Sequence, residues 1–123
     1  MESMFAWDKK LEYLNLSNLH ATKVTSMNSM FLNCEILTSV DLYQFKTFNL
    51  KDMVKMFQNC TKLKSLELSY FDSSKVMSFS YLCDNCLEIE NNNLKNLITS
   101  SVINIKNMFY NCKKLKSLDL SFF

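Results

Sequence analysis

A chain of 123 residues with a net charge of +2 and 48% hydrophobic residues suits one domain-sized core and lacks the clustered basic face that nucleic acid requires. No apolar run approaches the ~18 residues that span a bilayer, so no membrane span is expected. One His and no Gly remove most catalytic and phosphate-loop templates, so the expectation is no enzyme, no cofactor and no metal site.

Read from Met1, the sequence repeats every 26 residues without a gap: segments 1–26, 27–52, 53–78, 79–104 and 105–123. Numbered within the repeat, positions 1, 4, 5, 8, 11, 14, 16, 19 and 24 supply 44 places, and all but Asp8 and Asn92 are apolar. Position 16 is leucine throughout: Leu16, Leu42, Leu68, Leu94 and Leu120. A fixed period of this length is the signature of a solenoid, in which sequential coils share one core.

The pattern predicts the elements of one unit in order. Positions 1, 4, 5 and 8 follow helical spacing, which predicts a helix of about two turns over positions 1 to 6. Asn33, Asn59, Asn85 and Asn111 at position 7 suit a left-handed cap at its end. Positions 14 and 16 alternate, which predicts a strand near positions 13–17 with one face buried. A return loop follows, and Ser26, Asp52, Ser78 or Asn104 then caps the next helix.

Segment by segment, the exceptions stand out. Segment 1 opens on MESMFAWDKK, with no basic n-region and no apolar core, so no signal peptide is visible. Trp7 and Asp8 there replace Asn and Cys, as in an atypical terminal repeat. His20 falls in a return loop. In segment 4, Cys83 replaces Phe and Asn92 replaces the inward Leu. Segment 5 stops at its nineteenth position, Phe123, with apolar positions unclosed. That suits a longer array or end-to-end self-association.

Four of the five Cys recur at position 8: Cys34, Cys60, Cys86 and Cys112. They read as small buried apolar residues. Equivalent positions in stacked coils are ~4.8 Å apart per step, so four cannot converge on one zinc ion with bonds of ~2.3 Å. All 14 basic residues are Lys and Pro is absent, which reads as AT-rich coding and not as a functional signal.

The string MFxNCxxLxSLxLSxF followed by SxV, as in Met56–Phe71 and Ser74–Val76, resembles the BspA-like leucine-rich-repeat surface protein family. The resemblance covers the whole chain and is close in segments 2, 3 and 5. It implies an α/β leucine-rich-repeat solenoid of about five coils, with a parallel sheet, one short strand and one short helix per repeat. It also implies a non-enzymatic protein-binding or adhesion module at the cell surface or secreted. Where the family has Gly at position 7, this chain has Asn.

Outward strand positions supply the candidate partner-binding face: Tyr13, Asn15, Asp41, Tyr43, Glu67, Ser69, Asn93, Lys95 and Asp119. Its acids and tyrosines suit a protein or cell-surface ligand with a basic or hydroxyl-rich patch. Lys62, Lys64, Lys114 and Lys116 form a flanking rim. Two rivals stay open. One is a cytoplasmic interaction scaffold, favoured by free thiols and by the missing leader if the chain is complete. The other is a thiol oxidoreductase using Cys83 and Cys86, a C-x-x-C pair at the wrong end of the predicted helix for a lowered thiol pKa.

Overall fold

In the computed structural model, which describes residues 1–94 and 97–121, the polar side chains at position 26 open each segment. Ser26 Oγ accepts the Asn28 N–H at 3.2 Å, and Asp52 Oδ1 accepts that of Val54 at 2.9 Å. Ser78 Oγ and Asn104 Oδ1 do the same for Ser80 and Lys106. This is the capping chemistry expected of these residue types. What it opens is not a helix.

The expected α/β leucine-rich-repeat solenoid with a helix per repeat is overturned: the described residues contain no helix. Positions 1 to 8 form overlapping tight turns. In segment 2, Met30, Leu32 and Cys34 donate N–H to the carbonyls of Met27, Ser29 and Phe31, each three residues back. The alternate amides leave the segment: Ser29, Phe31 and Asn33 donate to Val54, Met56 and Gln58 at 2.9 Å each. An α-helix directs every amide to the carbonyl four residues back, so sharing alternate amides with a neighbouring segment excludes it.

The backbone angles enforce this. Position 3 has positive φ in every segment, at Ser3, Ser29, Lys55, Tyr81 and Asn107. So does position 7, at Trp7, Asn33, Asn59, Asn85 and Asn111. One left-handed residue every four reverses the chain before a helical turn can close. The helical spacing of apolar residues was thus a spacing of inward-facing corners.

Four strands follow the turns: β1 (Tyr13–Asn15), β2 (Ser39–Asp41), β3 (Ser65–Glu67) and β4 (Asn91–Asn93). They form two separate two-stranded parallel sheets, β1–β2 and β3–β4, where one parallel sheet was expected. Leu14 pairs with Val40 and Leu66 with Asn92, each 26 residues apart. A row of single bridges joins Ser26, Asp52, Ser78 and Asn104. Asn92 keeps the inward register, but its amide is not orphaned: Nδ2 donates to the Ser117 carbonyl at 3.2 Å.

The buried side chains form one cluster. Met27, Phe31, Leu37, Met53, Phe57, Leu63, Leu68, Phe79, Leu82 and Ile89 lie within it at 1% exposure or less. Phe5, Phe31 and Phe57 stack face to face, with centroids 5.4 and 5.2 Å apart. No helix of the described residues is long and apolar enough to cross a membrane.

Candidate partner-binding face

Alternation along the short strands turns positions 13 and 15 away from the core. Tyr13 is 54% exposed, and Asn15 is exposed. Position 15 has a second task. Its side-chain oxygen closes a turn onto the amide two residues on: Asn15 to Ser17 at 2.8 Å, Asp41 to Tyr43 at 2.9 Å, Glu67 to Ser69 at 2.9 Å and Asp119 to Ser121 at 2.9 Å. Asp and Asn favour such turns because their short side chains reach the local backbone. These acids are therefore fixed in place by the turn that they close.

The face is continuous in places and broken in others. Asn93 Nδ2 donates to Glu67 Oε2 at 2.7 Å, tying β4 to β3, while Asn93 Oδ1 is buried with no hydrogen-bond partner. Between β2 and β3 the strand ladder is interrupted. Tyr43, 51% exposed, meets Tyr70 there edge to face, with ring centroids 5.1 Å apart. Tyr70 was missed because position 18 lies outside the strand alternation. Ser69 is half-buried, and Lys95 lies outside the described residues.

The Lys rim is not a bare basic stripe. Lys114 bonds Glu88, and Lys116 Nζ lies 2.7 Å from Glu90 Oε2. These hydrogen bonds hold both glutamates below the usual carboxylate range, helped by the lysine charges, and raise Lys114 above its ordinary value. Glu88 and Glu90 occupy positions 10 and 12 in segment 4, where the neighbouring segments carry Lys62, Lys64, Lys114 and Lys116. Opposite charges thus alternate across three segments.

The position-8 thiols face inward. Burial pushes Cys34 and Cys112 up to about 11, and Cys60 further still. Cys83 and Cys86 form a disulfide inside segment 4, with Cα atoms 5.5 Å apart. Neither sulfur is exposed, since both residues are fully buried.

No curated protein and no solved structure matches the chain. A family match covers residues 1–122, nearly the whole sequence. The chain belongs to the family described as Mycoplasma protein of unknown function, DUF285.

Proposed function

We propose that this chain is a non-enzymatic protein-binding module whose contact surface is the outward strand face. The supporting observation is the set of exposed tyrosines beside carboxylates that their own turns hold still. Tyr13, Tyr43 and Tyr70 offer flat contact area with little side-chain entropy to lose. Asp41, Glu67 and Asp119 add negative charge at one repeat position, which favours a partner with a basic patch. The resemblance to BspA-like surface proteins supports the same reading and extends it to a cell-surface ligand.

The test uses an oligolysine peptide as probe, with an oligoglutamate peptide as control, in surface plasmon resonance. Oligolysine binding should weaken as salt rises, because exposed charges are screened. The triple variant Asp41→Asn, Glu67→Gln, Asp119→Asn keeps the oxygens that close the turns and removes the charge. It should fold and lose about tenfold or more in affinity, equivalent to about 1.4 kcal/mol. Unchanged affinity in the folded variant would remove this face from consideration.

A further inference from the structure

Four cysteines share one position and one contact. The Sγ atoms of Cys34, Cys60, Cys86 and Cys112 lie 3.0, 3.1, 3.2 and 3.1 Å from the carbonyl oxygens of Phe5, Phe31, Phe57 and Cys83. Each acceptor stands at position 5 of the preceding segment. The same carbonyl also accepts the position-8 amide of its own segment, as Phe31 O does from Cys34 N and Phe57 O from Cys60 N, both at 3.1 Å. The thiols of Cys34, Cys60 and Cys112 thus each give a position-5 carbonyl a second donor.

Cys86 is the exception, because a sulfur bonded to another sulfur carries no hydrogen. In the disulfide with Cys83 it occupies the ladder position without being able to donate. Only the reduced thiol completes the rung to Phe57. Cys83, for its part, stands where the other segments carry Phe, and the stack of Phe5, Phe31 and Phe57 stops there. The oxidised pair therefore covalently closes the one turn that lacks an aromatic anchor, and the reduced pair restores the hydrogen-bond ladder.

We infer that Cys83 and Cys86 form a reversible dithiol–disulfide site that exchanges with low-molecular-weight thiols and disulfides and sets the rigidity of segment 4. Oxidation by glutathione disulfide forms the Cys83–Cys86 bond, breaks the glutathione S–S bond, and leaves the two protons and two electrons on two glutathione thiols. The disulfide constrains only a short loop, so its entropic gain is small, and the lost thiol–carbonyl bond opposes it. The lost bond offsets part of that gain, so the net stabilisation is small and keeps the pair within reach of a glutathione buffer, unlike structural disulfides that resist one. The segment concerned also carries β4, whose Asn93 bonds Glu67 on the outward face. Loosening the turn of segment 4 therefore acts next to the strand surface. The inference does not depend on that surface binding a partner.

The experiment equilibrates the native full chain in glutathione buffers of graded ratio, approached from the reduced and the oxidised side. Glutaredoxin is present as a catalyst, and incubation continues until both approaches agree, because the buried pair exchanges only when the segment opens locally. Thiols are then alkylated after denaturation, and tryptic peptides are weighed. The peptide from Val76 to Lys95 holds both cysteines, and each of the other three lies on a separate peptide. The expected result is a reversible transition in that peptide alone, from two alkylated thiols to a species that carries no alkyl group and is two hydrogens lighter than the unmodified dithiol peptide. Cys34, Cys60 and Cys112 should stay alkylatable throughout. In parallel, oxidised wild type should melt about 3–8 °C above reduced wild type, and Cys83→Ser should abolish that difference. A pair that stays in one state at every ratio from both directions would overturn the proposal. So would a disulfide joining Cys86 to the Cys60 or Cys112 peptide.

Discussion

A left-handed backbone at a non-glycine residue costs free energy, and this chain has it at positions 3 and 7 of every segment. Asparagine at position 7 softens the cost and adds a side-chain ladder. Asn59 Nδ2 donates to Asn33 Oδ1 at 2.7 Å, Asn85 to Asn59 at 3.1 Å, and Asn111 to Asn85 at 2.6 Å. Replacing Asn59 by Gly would relieve φ but cut two rungs, so Asn59→Gly is expected to lose about 0.5–1.5 kcal/mol in urea melts. Among the described residues position 3 shows no such hydrogen-bond ladder, and Lys55 adds only an ammonium 5.9 Å from the centre of the Tyr81 ring. At Lys55, with φ of 59°, Lys55→Gly should unfold within about 0.5 kcal/mol of wild type. Lys55→Val should lose about 1–2 kcal/mol, since a β-branched residue is penalised there. Equal stability of the two variants would contradict the left-handed assignment.

Elements here are turns and ladders, and their strength lies between segments. Phe57 is fully buried in the aromatic stack, so Phe57→Ala should cost about 3–5 kcal/mol in denaturant melts. The ion pairs of segments 4 and 5 predict a pH response. Glu88 and Glu90 have folded pKa values below their unfolded ones, chiefly through hydrogen bonds from Lys114 and Lys116. Asp72 is lowered too, first by the Ser74 hydroxyl and then by the Ser74 amide. A depressed carboxylate pKa contributes stability above the unfolded value and loses it as pH falls through the folded one. Chemical-denaturation midpoints should therefore hold from neutrality down to the ordinary carboxylate range and fall below it. The variant Glu88→Gln, Glu90→Gln should show a shallower fall. Lys114 has the opposite sign, so its contribution is present below its ordinary pKa and lost at still higher pH.

At the scale of the whole molecule, the thiols report on burial. Cys34 and Cys60 are fully buried, whereas Cys112 is partly exposed. Iodoacetamide at pH 8 should therefore modify Cys112 first and leave Cys34 and Cys60 until the fold opens, because thiolate is scarce and access is blocked. Simultaneous labelling of all three would place the position-8 column outside the core. The sequence by itself determined the 26-residue period, because inward positions must carry apolar side chains at the spacing of the structure. The buried Met, Phe and Leu rows were legible for that reason, as were the left-handed asparagines and the capping residue types at position 26, though these were assigned to a helix that is not there; the turn closure by Asp41, Glu67 and Asp119 was not foreseen. It could not separate a helix from a run of tight turns, because both bring positions 1, 4, 5 and 8 to one side. Hydrogen bonding decided that: alternate amides donate to the neighbouring segment, and such partners are absent from any local pattern. The break between β2 and β3 and the Tyr43–Tyr70 contact were likewise decided only by tertiary structure, since both depend on how neighbouring segments pack, whereas the Cys83–Cys86 pair, three residues apart, was already legible as C-x-x-C.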